Sequence, residues 1–332
     1  MTQVRAILDN PFIVSADRSL ASLASPEAIT ASTHAVNAAL AEALAAVTPP
    51  SGLPAMREAY VRGELGLPAS PKSSRAQTMT IKGPETPIGL RIFVPEEVRG
   101  VYLHIHGGGW IVGSNDTWDE QLEYFGREAG MIAVSLDYRL APEHPAPAAI
   151  DDCVAVASWL IENAEREFGT SWLSIGGESA GSNLAALTLL RLRDAGKVNF
   201  FKAVSLLFGC FDLSLSPNVF LSKGAPFVSL DAMRQFTGAF AGSMDLKDPA
   251  ISPLYADLHD LPPALFSVGS VDPLLDDSLF MYMRWQAVGN AAYLAIYPGG
   301  THGFNSLDGE LAAAGNRGIA KFLKAIRTED TD

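Results

Sequence analysis

The chain has 332 residues, a net charge of −13 and two cysteines, so it can bury a sizeable core without disulfide or metal staples, as about two domains or one large α/β domain with insertions. The acidic balance argues against a nucleic-acid binder, which needs clustered basic residues to release counterions, and against docking on anionic membranes. Charged residues make up 18% of the chain, below the roughly 25% usual for soluble domains, which fits an Ala-rich interior or apolar surface set aside for a pocket or a subunit contact.

In chain order, residues 1–20 hold no uninterrupted apolar run, because Asp9, Asn10 and Pro11 break it, and no signal peptide is expected. Pro26–Val47 is helix-like and Ala-rich, but His34, Asn37 and Glu42 make it too polar to span a bilayer. A soluble, cytoplasmic protein is the expectation. Residues 1–55, ending in Thr48-Pro49-Pro50-Ser51-Gly52, stand apart from the rest of the chain. Gln77–Lys82 and Gly89–Val94 read as an antiparallel pair at a sheet edge.

Six short apolar runs come next: Val101–Ile105, Met131–Leu136, Trp172–Ile175, Ala203–Phe208, Ala264–Val268 and Ala291–Tyr297. Most lack polar alternation, as parallel strands buried on both faces do. Helix-like segments at 116–130, 145–167, 179–195, 275–289 and 308–326 alternate with most of them. That rhythm implies an open parallel sheet covered on both faces. Residues 211–263 break it, with six prolines and a helix near Leu230–Gly242. A stretch this long between strands usually forms a lid or binding region. Cys153 and Cys210 lie in separate apolar runs with no CxxC or Cys/His cluster, so they read as small core hydrophobes and zinc is not expected.

Gly177-Glu178-Ser179-Ala180-Gly181 matches Gly-x-Ser-x-Gly between a strand and a helix, the context of a nucleophile elbow. The turn must hold the serine in a strained conformation, and glycines on either side remove colliding side chains. His106-Gly107-Gly108-Gly109-Trp110 follows a strand directly. Its glycines leave backbone N–H groups free for the oxyanion of an acyl-transfer intermediate, with the Ala180 N–H completing the hole.

In enzymes built on this elbow the chain order is serine, acid, histidine. His302, in Gly299-Gly300-Thr301-His302-Gly303 after the last strand, is the histidine that fits as general base. His259 comes before the best acid and reads as a surface linker residue, and His104 as a core or sheet-face residue. Asp272 follows a strand and precedes Pro273, read as the first residue of a helix. Asp276 and Asp277 are fallback acids, and Asp276 could instead brace the His302 loop.

Taken together, the 106–110 and 177–181 motifs, DYRLAPEHPAPAAIDD at 137–152, DPLLDD at 272–277 and HGF at 302–304 resemble the hormone-sensitive-lipase-like carboxylesterases, the bacterial family IV esterases. The resemblance runs from about residue 77 to the C-terminus. It implies an α/β-hydrolase fold with a helical cap made from the N-terminal segment (1–55) and an insertion (211–255). The core then comprises 56–210 and 256–332. It further implies a Ser179–Asp272–His302 triad, oxyanion donors at Gly108, Gly109 and Ala180, and a bracing role for His106. Glu178 departs from the Asp or Thr usual before the serine in this family. Tyr138–Glu143 looks like a structural element near the catalytic machinery.

The expected activity is hydrolysis of short- to medium-chain esters through an acyl-enzyme, with a small-molecule substrate and neither cofactor nor metal. A homodimer is compatible with the low charged fraction. An amidase or acyltransferase with the same triad, a long-chain lipase, and a non-catalytic ligand-binding member of the fold are the rival readings. Phe211, Phe220, Phe227, Phe236 and Trp110 are candidates either for lining the pocket or for packing cap on core.

Overall fold

In the computed structural model, which describes residues 7, 9–15, 18–48, 50–65, 69, 71–222, 225 and 227–329, the apolar runs become strands of one sheet. These are β1 (Gln77–Ile81), β2 (Ile88–Phe93), β3 (Gly100–Ile105), β4 (Met131–Leu136), β5 (Leu173–Glu178), β6 (Phe201–Leu207), β7 (Ala264–Gly269) and β8 (Ala292–Tyr297). The order across the sheet is β1-β2-β4-β3-β5-β6-β7-β8. The β1–β2 and β2–β4 pairs are antiparallel and the rest parallel. Every residue of β3, β4, β5 and β7 is buried, which is why these runs show no polar alternation. Some residues of the two stretches that broke the rhythm, 1–6, 8, 16, 17, 49, 223, 224 and 226, lie outside the described set.

The helices in chain order are α1 (Ala31–Ala45), α2 (Leu53–Val61), α3 (Asp119–Ala129), α4 (Ala148–Phe168), α5 (Ala180–Asp194), α6 (Pro217–Leu221), α7 (Leu230–Ala241), α8 (Leu275–Ala287) and α9 (Glu310–Glu329), of which α3, α4, α5, α8 and α9 pack on the sheet. Gly130 and Gly169 end α3 and α4 in the left-handed conformation that stops a helix. Two local expectations are corrected. Pro273 is not the first residue of a helix, because Leu274 N–H is drawn to the Asp272 carboxylate and α8 begins only at Leu275. Residues 116–118 are not helical either. Ser114 N–H bonds Thr117 Oγ1 and holds a turn ahead of α3.

The order reverses around β3, whose neighbours are β4 on one side and β5 on the other. In open α/β sheets the crevice beyond the carboxyl ends at such a point is where ligands bind. The glycine-rich loop leaves β3 there, Ser179 leaves β5, and Asp272 and His302 come after β7 and β8. The outer edge of β8 is met by the N-terminal segment: Val14 N–H bonds Leu294 O at 2.8 Å and Ile296 N–H bonds Phe12 O at 2.9 Å.

The 211–263 stretch is rooted on α8 by a buried carboxylate. Asp277 Oδ1 accepts the N–H groups of Phe211 (2.7 Å) and Asp212 (2.9 Å). Burial pushes this carboxyl up to about 7, against an unfolded value of about 3.9. The folded state therefore holds the proton more tightly, and the contribution of Asp277 to stability falls as pH rises from about 4 to about 7. Asp277→Asn keeps an oxygen acceptor and removes this titration. Its stability relative to wild type should rise across that window and level off above it, which urea midpoints at pH 4.5, 6 and 8 would check.

Candidate active site

The β5–α5 turn puts Ser179 at φ +54° and ψ −116°, a conformation L-residues seldom adopt. The strain is held by the turn's surroundings. Ser179 N–H bonds Leu207 O at 3.0 Å, and Ser182 Oγ donates to Gly177 O at 2.6 Å. A Cβ at Gly177 or Gly181 would collide with the Ile105 carbonyl oxygen.

Ser179 Oγ lies 2.9 Å from His302 Nε2. His302 Nδ1 lies 3.0 and 3.2 Å from the two Asp272 carboxylate oxygens. Asp272 is wholly buried and His302 nearly so. The loops after β7 and β8 are tied together by Ser270 N–H to Tyr297 O, Val271 N–H to Gly300 O, and Gly299 N–H to Ser270 Oγ. That cross-bonding sets the acid against the imidazole. The Phe208 ring stands 4.6 Å from the imidazole, a neighbour that sequence reasoning did not single out. Asn218 is another: its side-chain amide donates to Asp272 O at 3.1 Å.

The fallback carboxylates lie elsewhere. Asp276 accepts Asn218 N–H at 2.8 Å, so it ties down the start of α6 and does not brace the His302 loop. Asp277 holds the 211–212 backbone.

The loop after β3 runs through positive φ at Gly108 (+107°), Gly109 (+59°) and Trp110 (+61°). A Cβ on Gly108 would collide with Val112 O, and one on Gly109 would come within 2.8 Å of the Phe236 ring. His106 is buried, stacks on Tyr138 at 4.2 Å and donates from Nδ1 to Gly107 O at 2.7 Å. The Tyr138 hydroxyl donates to His106 O at 2.9 Å. Burial pushes His106 down to about 3, so its ring stays neutral and serves the loop as a rigid strut. Behind it, Arg139 grips the buried Asp152 carboxylate with two bonds of 2.9 Å.

Glu178 is buried beside Ser179. Both its carboxylate oxygens lie 2.9 Å from His104 Nε2, and His104 Nδ1 lies 3.1 Å from Ser135 Oγ. The core reading of His104 therefore holds, with its partners on the two strands that flank β3. Burial, and then the charge of Glu178, push the Tyr60 hydroxyl up.

A cavity of about 360 Å³ opens above Ser179 and His302. Leu44, Val47, Met56 and Tyr60 wall it from the N-terminal side, and Phe227, Val228, Met233 and Phe236 from the 211–263 stretch. Of the proposed aromatics, Trp110, Phe227 and Phe236 border it. Phe211 is instead buried against Phe266, and Phe220 faces outward. Cys210 is a buried free thiol at the cavity wall, Cys153 a buried free thiol in the core. His259 is exposed and pairs with Asp257.

A family model described as alpha/beta hydrolase fold matches residues 102–306, a span that includes Ser179, Asp272 and His302. The esterase LipI of Mycobacterium tuberculosis is 38% identical over 216 residues, covering 62% of this chain and 67% of its own length. The carboxylesterase NlhH of the same organism is 34% identical over 254 residues, 73% of this chain and 79% of its own. A solved esterase from Pyrobaculum calidifontis aligns with a TM-score of 0.78 at 28% identity, over 90% of this chain and 99% of that one. With the motifs, the strand order and these likenesses in agreement, the chain belongs to the alpha/beta hydrolase fold family.

Proposed function

We propose that the protein is a serine carboxylesterase that cleaves short- to medium-chain esters through an acyl-enzyme. The observation that carries this reading is the hydrogen-bonded line from Ser179 Oγ through His302 to the buried Asp272, set beneath an apolar cavity. His302 takes the hydroxyl proton as Ser179 attacks the ester carbonyl. Asp272 stays ionised, fixes the imidazole tautomer and stabilises the imidazolium that forms. The N–H groups of Gly108, Gly109 and Ala180 receive the oxyanion. His302 then protonates the departing alcohol, and water repeats the sequence on the acyl-enzyme.

The two stretches outside the strand–helix rhythm act as a cap. Its N-terminal piece extends past residue 55, because α2 spans that point and Met56 and Tyr60 border the cavity. The relatives' names favour ester over amide cleavage and over a non-catalytic role. No helix among the described residues is long and apolar enough to cross a membrane.

The cavity, at about 360 Å³, lies at the small end of the roughly 300–1,000 Å³ range of ligand pockets, which suits short to medium acyl groups. Turnover of nitrophenyl esters from two to sixteen carbons should peak among the shorter members and fall beyond about ten. A rate still climbing at sixteen, or stimulated by emulsion, would identify a long-chain lipase instead. Ser179→Ala should lower kcat by at least about 10³-fold with the fold intact by circular dichroism, and comparable turnover in that variant would overturn the assignment. Gly108→Ala, which forces the loop off Val112 O, should cost about 10²-fold or more in kcat with a smaller change in KM.

A further inference from the structure

The cavity wall and the glycine loop meet at a small cluster separate from the main core. Leu53, Met56 and Tyr60 of α2 pack there with Ile111, Val112 and Ala141, and with Phe236 and Ala239 of α7. One polar side chain reaches into this junction. Arg57, between Met56 and Tyr60 on α2, donates from Nε to Ile111 O at 2.8 Å and from Nη2 to Ala141 O at 3.1 Å. Its Nη1 and Nη2 also donate to the two Glu143 carboxylate oxygens, each at 2.8 Å.

The two carbonyls belong to segments already joined at the oxyanion loop. Ile111 and Val112 N–H groups bond Gly108 O at 3.1 and 3.0 Å, closing the turn that carries Gly108 and Gly109. Ala141 N–H bonds Trp110 O at 2.9 Å. Arg57 thus closes a ring of three pieces: α2, the 108–112 turn and the 138–143 loop. A guanidinium suits this place because its planar fork can serve a carboxylate and two carbonyls at once, whereas an ammonium offers a single point of charge.

We propose that Arg57 is a positioning residue for the oxyanion hole, locking the 108–112 turn to the helix that walls the substrate cavity. The inference rests on the esterase reading and adds a role for the N-terminal segment in kcat as well as in substrate fit. Displacement of a donor by about 1 Å from its productive place can cost about 10²-fold in rate, so loss of the fork should act on the transition state more than on ground-state binding.

The test compares wild type, Arg57→Gln, Arg57→Lys and Glu143→Gln on nitrophenyl butyrate, below each protein's measured unfolding temperature. A trifluoromethyl ketone, whose serine adduct carries an oxyanion, serves as inhibitor. Arg57→Gln should lower kcat by about 10- to 100-fold with KM within about threefold, and weaken the ketone by a factor similar to that in kcat/KM. Arg57→Lys, which keeps the charge and is the variant to rely on if the Gln form does not fold, should recover only part of the loss. Glu143→Gln, at an exposed carboxylate, should change kcat less than about fivefold.

Values of kcat and ketone affinity within twofold of wild type in the folded Arg57 variants, whatever their melting temperatures, would reduce Arg57 to a stability role and overturn the proposal. Full recovery with Lys would overturn the fork argument, and a rise in KM alone would assign Arg57 to substrate fit. Absence of turnover in wild type, or its survival in Ser179→Ala, would instead remove the esterase reading beneath the proposal.

Discussion

One backbone oxygen governs the space under Ser179. The Ile105 carbonyl, at the end of β3, leaves no room for a methyl group at either Gly177 or Gly181. That closeness is a product of the sheet, since Ile105 and Gly177 are paired neighbours on parallel strands. It has two effects at once. The chain leaving β5 is driven into the positive-φ turn that lifts Ser179, and the chain leaving β3 passes beside that turn as the glycine loop. A Cβ at Gly107 would stand 2.9 Å from Glu178 O, which shows how tightly the two loops are stacked. Ser179 and the glycine loop come together because two strands are hydrogen-bonded side by side.

Such close backbone packing places polar groups out of water, and several of them are met by specific partners. His106 is kept neutral and stacked on Tyr138. Asp152 receives Arg139, which also reaches Glu85 at 2.8 Å. Glu178 meets His104. Removing one member of the buried Arg139–Asp152 pair would leave the other uncompensated and cost several kcal/mol. In the 137–152 motif, Tyr138 bonds the glycine loop, Arg139 and Asp152 bind each other, and Glu143 takes Arg57. The motif is a scaffold for the loop, which it meets directly through Tyr138 and by way of Arg57 on Glu143.

Much of this was legible because burial on both faces of a sheet writes itself as uninterrupted apolar runs, and because sharp turns demand glycine at fixed offsets. Met131–Leu136 is a strand over the same residues that the apolar run marked. The apolar run at β5 ends at Ile175, three residues short of the strand, since Gly176, Gly177 and Glu178 break the apolar pattern but are paired strand residues, the glycines permitting close approach to β3 and β6. What periodicity does not carry is partnership. Nothing in the spacing of DPLLDD distinguishes Asp276, bound to Asn218, from Asp277, bound to the 211–212 backbone. Nothing local marks Arg57 for carbonyls 54 and 84 positions away, or Phe208 for His302. The aromatics of the 211–263 stretch divided in the same way, because whether a phenylalanine faces the cavity or the core depends on how that stretch lies on α8.

The bonds that Phe12 and Val14 make along β8 also bear on assembly. An open parallel sheet exposes unpaired N–H and C=O groups on its last strand, and such an edge is a template for pairing with a second copy. Here the middle of that edge, at Leu294 and Ile296, is already taken by the chain's own N-terminal segment. Two molecules that joined their sheets through β8 would first have to release it, so residues 12–14 act as a guard strip against end-to-end growth of the sheet.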